Sequence, residues 1–256
     1  MQQDPKDPPA PIRDAREKEP APLQPMKAEL TPEEKKRWEE TLSAGVIAQR
    51  LIPGGVAVGG TAAALYAGHR LSFDTDHLIM NLKETFNEVL DKLSDAPEWR
   101  TARLNRPVLI LGSINDVEVG FRQSRRSLPI DTVTFSTPYG DLVIPTLDEL
   151  IGMKAYLSYY RKTVRDFLDF AALTECTNEE EVLGSLMKLD DRYGSLQRNS
   201  VRLEVARAFS DPKPVDFSEV DLSHYKALSP EWQDWKRTAD ICKRYGLLLG
   251  PRILEI

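Results

Sequence analysis

The sequence predicts an α+β protein, with an N-terminal mixed-sheet domain followed by an α-helical C-terminal domain. Three observations carry this. Between Val56 and Ile144, short apolar runs of strand period alternate with segments of helical period. From Thr146 onward the pattern is helical to the end. Ahead of both, eight of the 18 prolines stand at or before Pro32, interleaved with charges and almost no large apolar side chains. Such a composition cannot bury enough surface to offset its ordering entropy. The expected division is a disordered tail over 1–30, a sheet domain over 31–145 and a helical domain over 146–256.

Each element has its own signal. Thr31-Pro32-Glu33-Glu34 supplies a capping hydroxyl, a proline at the first helical position and a glutamate placed for a capping box. Trp38, Leu42, Val46, Ile47 and Leu51 follow at helical spacing, and Pro53-Gly54-Gly55 ends the helix. Gly55–Val58 predicts a short buried strand, Ala62–Ala67 a small-residue helix, Asp74–Met80 a second strand and Lys83–Leu93 an amphipathic helix. Pro107–Leu111 and Asn115–Phe121 predict a hairpin turned at Gly112-Ser113. Thr132–Ser136 and Asp141–Ile144 predict another, turned at Pro138-Tyr139-Gly140. Helices are expected over Thr146–Tyr160, Thr163–Glu175, Asn178–Asp190, Leu196–Phe209 and Glu231–Tyr245.

Composition narrows the function. With 34 Lys+Arg against 40 Asp+Glu the 256-residue chain carries a net charge of -6, which excludes a histone-like coat of nucleic-acid affinity but not a local basic groove. No run approaches the ~18 apolar residues of a membrane span. The N-terminal residues lack the apolar core of a secretory signal. Cys176 and Cys242 alone make no disulfide framework. A cytoplasmic protein with no membrane partner is expected.

The chemistry concentrates in Val58-Gly59-Gly60-Thr61 and Leu71-Ser72-Phe73-Asp74-Thr75-Asp76-His77. Two glycines between a strand and a helix let backbone amides approach an anion at the helix N-terminus, and Thr61 adds a hydroxyl. Asp74 and Asp76, two apart in a strand, share a face. Carboxylates that close repel unless a cation lies between them, and Mg²⁺ takes carboxylate oxygen. Asp116 and Glu118 share a face of a later strand, where the deeper Glu118 is the choice for a third carboxylate and an exposed hairpin face is the alternative. Lys154, in an apolar helical stretch with Leu150, Ile151, Met153 and Leu157, wants a phosphate or carboxylate partner unless it snorkels to the surface. Asp166 and Asp169 share a helix face. No serine, histidine or cysteine is arranged as a covalent nucleophile, and His77 is expected to pack neutral.

A hydrophobic strand, Gly-Gly-Thr and then Asp-x-Asp resembles the DNA-polymerase-β-like nucleotidyltransferase superfamily. More narrowly, VGGTAAALYAGHRLSFDTDHL resembles the AbiEii/AbiGii toxin-like family, and so do Pro145–Lys154 and Arg165–Phe170. The resemblance spans about Val56 to Leu173, with nothing recognisable before or after it. It implies a nucleotidyltransferase domain over 31–145 that transfers a nucleoside monophosphate from an NTP to an acceptor hydroxyl. By that resemblance Gly59, Gly60, Thr61 and Ser72 would hold the triphosphate, Asp74 and Asp76 would bind Mg²⁺ or Mn²⁺, and Lys154 would contact the triphosphate or base. Asp166 would be a further acid needed for activity. A tRNA 3′ end as acceptor and an antitoxin protein as partner, in a type IV toxin–antitoxin system, are implied in the same way.

Two clusters of arginines, Arg100/Arg103/Arg106 and Arg122/Arg125/Arg126, flank the first hairpin, and Arg161, Lys162 and Arg165 lie further on. If they line one cleft they form a basic groove, with Tyr156, Tyr159 and Tyr160 as stacking surfaces. The alternatives are a small-molecule nucleotidyltransferase of aminoglycoside type, which would want an acidic pocket, and a non-catalytic member of the fold.

Overall fold

The computed structural model describes residues 26–254 except 127 and 226, and the tail expected over 1–30 lies outside them up to residue 25. The order is α1 (Pro32–Leu51), β1 (Val56–Val58), α2 (Gly59–Ala67), β2 (Asp74–Ile79), α3 (Leu82–Ser94), β3 (Trp99–Asn105), β4 (Leu109–Ile114), β5 (Val117–Gln123), β6 (Thr132–Thr137) and β7 (Gly140–Pro145). Helices α4 (Leu147–Tyr160), α5 (Val164–Thr174), α6 (Glu179–Met187), α7 (Leu189–Tyr193), α8 (Val201–Ser210) and α9 (Trp235–Leu254) follow. The protein is α+β.

The capping box at Thr31 forms as its residues dictate: the Thr31 hydroxyl accepts from the Glu34 amide and the Glu34 carboxylate accepts from the Thr31 amide at 2.9 Å. A five-stranded mixed sheet runs β1-β2-β5-β4-β3, with β2 parallel to β5 and the other neighbours antiparallel; β6 and β7 pair apart from it. One face of the sheet is covered. Ile79, Val119, Phe121, Ile110 and Ile114 pack there with Ala44 and Ala48 of α1, Ile52 just after it, and Leu82, Phe86, Val89 and Leu93 of α3. The opposite face carries Asp74, Asp76, Glu118 and Arg122, alternate positions that stay partly or fully exposed. A second apolar core joins α1, β1, α2, β6 and β7 to the C-terminal helices, so residues 146–256 share their interior with elements that precede them.

The first hairpin turns later than expected. Asn115 and Asp116, at φ 48° and 66°, make a two-residue turn of the left-handed kind that suits adjacent twisted strands. Gly112 instead lies inside β4, where a Cβ would stand 2.3 Å from Cζ2 of Trp99; the glycine makes room for the indole of the neighbouring strand. That places Asp116 in the turn rather than beside Glu118 on the strand. Strand β3 was not expected, because after Trp99 all its residues are exposed and it lacks an apolar alternation. The helix expected over Asn178–Asp190 breaks at Lys188, and the one expected from Leu196 begins at Val201.

Candidate active site

The site is built where β1 hands over to α2 beside β2. Gly59 has φ +77°, a conformation open to glycine, and turns the chain straight into α2. The N-terminus of α2 has no side-chain cap, so its first amides remain available at the positive end of the helix dipole. Gly60 is held bare by its surroundings. A Cβ there would lie 2.7 Å from both Nη2 of Arg70 and Oγ of Ser72. Arg70 is thus a buried guanidinium directly beneath the turn, 4% exposed, which sequence reading did not assign a role.

Thr61 and Ser72 both act on Asp74. The Thr61 hydroxyl donates to the Asp74 carbonyl at 2.6 Å, and the Ser72 hydroxyl donates to its carboxylate at 2.5 Å. The Thr61 bond fastens β2 to the first turn of α2, while the Ser72 bond orients the Asp74 carboxylate from within its own segment. Asp74 and Asp76 share the open face of β2. Across the ladder Asp74 lies level with Glu118, and Asp76 level with Gly120. A Cβ at Gly120 would come 2.3 Å from Oδ1 of Asp76, so that glycine keeps the space beside the carboxylate clear. The same oxygen accepts from Nε of Arg122 at 2.9 Å. Glu118 is exposed, and no group of three or more His, Cys, Asp or Glu side chains converges at metal-binding distance among the described residues.

Lys154 and Asp166 are enclosed, 3% and 0% exposed. The Lys154 ammonium lies 2.6 Å from Asp169 and 3.6 Å from Asp166, so its counter-ions are carboxylates of α5. Asp166 also accepts from Nε and Nη2 of Arg161, at 2.9 and 2.6 Å, and from Thr163 at 2.7 Å. Asp169 accepts from Nε and Nη2 of Arg70, at 2.7 and 2.9 Å, and bonds Nε2 of His69 at 2.8 Å. Burial alone would raise both carboxyls; Arg70 and Lys154 hold Asp169 well below the usual carboxylate range, and Lys154 and Arg161 hold Asp166 below it. Burial lowers the His69 pKa, which leaves the ring neutral with Nε2–H as donor to Asp169. His77 is likewise buried and pushed down to about 4, tilted against Phe121.

A chain of charge therefore runs from the α2 turn through α4 and α5 to Arg161. Arg70 sits under Gly60, Asp169 ties it to Lys154, Lys154 reaches Asp166, and Asp166 holds Arg161. Asp169 is its hub; the sequence marked it by its place three residues after Asp166 on one helix face, within the family-like segment Arg165–Phe170. Of the expected basic residues, Arg122 reaches Asp76 on the acidic face and Arg161 pairs with Asp166 within the field of Asp76, while Arg125 lies over the Tyr160 ring. Arg100 and Arg103 lie on β3, three strands away from β2, while Arg106 lies over Phe86 of α3. Arg126 is buried in a two-pronged pair with Glu149.

No family model matches the chain. Among curated proteins it is 34% identical over 114 residues to MmpL11 of Mycobacterium leprae (strain TN), described as a transport protein, covering 43% of this chain and 11% of that one. It is 30% identical over 147 residues to MmpL11 of Mycolicibacterium smegmatis, a mycolic acid-containing lipids exporter, covering 56% and 15%. The chain thus spans less than a sixth of the curated relatives it matches. No helix among the described residues is long and apolar enough to cross a membrane. Among solved structures it is similar to JHP933 from Helicobacter pylori, at TM-score 0.51 and 16% identity over 89% of this chain and 96% of that one. A second H. pylori structure, described as that of a nucleotidyltransferase, gives TM-score 0.52 and 16% identity over 88% and 98%. The chain has the nucleotidyltransferase fold.

Proposed function

We propose that this protein is a nucleotidyltransferase that moves a nucleoside monophosphate from an NTP to the hydroxyl of an RNA acceptor, with a tRNA 3′ end as the leading candidate. One observation carries the reading. The Asp74–Asp76 pair stands on the open face of β2, and the Thr61 hydroxyl ties the Asp74 backbone to the uncapped N-terminus of α2. An anion site and an acidic strand are thereby locked at one separation.

The donor set fits a hard divalent cation: two carboxylates share one strand face, that of Asp76 lying over Gly120. Mg²⁺ bound there would polarise the α-phosphate and lower the pKa of the attacking hydroxyl. The protein's residues do the rest. The amides of Gly59 and Gly60 bind the departing phosphates, with the Arg70 guanidinium beneath them adding positive charge where the leaving group gains negative charge. The acceptor oxygen bonds to the α-phosphorus, the bridging α–β P–O bond breaks, and pyrophosphate leaves with that electron pair. Glu118, exposed and level with Asp74 on the neighbouring strand, belongs to no three-carboxylate cluster among the described residues and serves in this scheme as acceptor of the hydroxyl's proton. Lys154, Asp166 and Asp169 work as positioning residues in this scheme, holding Arg70 and Arg161 in place.

The toxin-like role with a cognate antitoxin protein rests on the motif resemblance. The arginines at the edge of the site favour an anionic acceptor over a cationic small molecule.

The test is incubation with each radiolabelled NTP, Mg²⁺ and total tRNA, beside Asp74→Asn and Asp76→Asn variants. Label in tRNA that requires both acids is the expected result. Turnover confined to a small-molecule pool, or folded protein that binds no Mg²⁺–NTP, overturns the reading.

A further inference from the structure

Three tyrosine rings form a column at the end of α4. Tyr193 of α7 stacks on Tyr156 with centroids 4.2 Å apart and planes 5° off parallel. Tyr156 stacks in turn on Tyr160, at 5.5 Å and 14°. Tyr193 and Tyr156 are buried, while Tyr160 is 46% exposed and forms the outer end. The Arg125 guanidinium lies over the Tyr160 ring, 4.6 Å from its centroid, and caps the column. A stack of aromatic rings that ends in a guanidinium is a surface on which a base can stack.

Its position relative to the acids gives it meaning. Arg125 lies three residues beyond Arg122, which holds Asp76. Tyr160 adjoins Arg161, which grips Asp166 with its side chain half exposed, and Asp76 is among the charges that favour the protonated Arg161. The sheet order then separates two directions. The α2 turn follows β1, on one side of β2, whereas Arg122 lies near the end of β5 and Arg125 just beyond it, on the other. Displacement at phosphorus runs roughly in line, so an acceptor enters opposite the departing pyrophosphate. With the phosphates at α2, the acceptor side is that of β5.

We propose that the outer end of this column, Tyr160 capped by Arg125, is the docking site for the single-stranded 3′ end of the nucleic-acid acceptor: a base near the terminus stacks on the Arg125 guanidinium that Tyr160 supports, and Arg122 meets a flanking phosphate. This rests on the function proposed above and adds which surface holds the acceptor.

The probe is a fluorescein-labelled single-stranded RNA of about a dozen nucleotides with a free 3′-hydroxyl, titrated by anisotropy with the full chain and with Tyr160→Ala, Tyr160→Phe and Arg125→Gln. Binding of Mg²⁺ with a non-hydrolysable NTP is measured in parallel by calorimetry, and melting curves check the fold. Loss of one stacked base predicts RNA binding weakened roughly tenfold or more in Tyr160→Ala. Arg125→Gln also weakens it and flattens its salt dependence, Tyr160→Phe retains it, and NTP affinity changes in none. Equal RNA affinity for Tyr160→Ala and the natural protein overturns the proposal. So does absence of RNA binding by the natural protein, or a loss confined to NTP affinity, which would place the nucleotide's own base on the column. If Tyr160→Ala loses RNA while the natural protein transfers no label, the transferase reading fails and the RNA surface stands. If label enters RNA undiminished in Tyr160→Ala, the surface fails and the activity stands.

Discussion

Asp76 faces Arg122 diagonally across the β2–β5 ladder, with Nε of the guanidinium 2.9 Å from Oδ1 of the carboxylate. The pairing follows from register. Asp76 is level with Gly120, which offers no side chain, so Arg122 two positions on leans back over the empty place.

That arginine competes for an oxygen a cation would use. Arg122→Gln is therefore expected to tighten divalent-ion binding, by up to about fivefold, since an exposed pair of this kind contributes up to about 1 kcal/mol. Mn²⁺ titration followed by electron paramagnetic resonance checks it. Weaker Mn²⁺ binding in the variant would mean that Arg122 positions Asp76 rather than blocking it.

Asp169 balances Arg70 and Lys154 in the interior, with Asp166 shared between Lys154 and Arg161. Asp169→Asn leaves three cations around one carboxylate, and breaking a buried pair in this way costs about 3–5 kcal/mol. Lys154→Met removes a cation that Asp169 can spare, because Arg70 and His69 still hold it, and should cost less. Urea-unfolding midpoints compare the two. Equal or reversed losses would show that Lys154, not Asp169, is the hub.

His77 gives the fold an acid-sensitive element. Its pKa is about 4 when folded, from burial, against 6.5 in its ordinary state. The unfolded chain binds the proton first, so the stabilising effect of a neutral His77 is complete above pH 6.5 and lost as pH falls toward 4. From pH 7.5 to 4.5 this amounts to roughly 2–3 kcal/mol. His77→Phe should flatten the unfolding free energy across that window, relative to the natural protein. An unchanged slope would assign the acid sensitivity elsewhere.

What could be read locally was read well where one short segment holds all the information. The capping box at Thr31 needs just four residues, and the Gly59-Gly60 turn and the alternation of Asp74 and Asp76 need no more. Strand β3 escaped because its exposed arginine-rich face carries no periodicity. The hairpin turn was misplaced because Gly112 answers to Trp99 on the next strand rather than to a bend in its own.

Sequence alone determined that Asp74 and Asp76 share a face, by the two-residue period of a strand, and narrowed Lys154 to an anion partner or a snorkelling surface position. Which anion Lys154 meets was decided only by tertiary packing. Helix α5 brings Asp169 to within 2.6 Å of it, and the same carboxylate reaches back 99 residues to Arg70 beneath the glycine turn. Charge interactions fall off over a few ångströms, so the partner is set by which helices pack together, and that arrangement is written in the whole core rather than in any one motif.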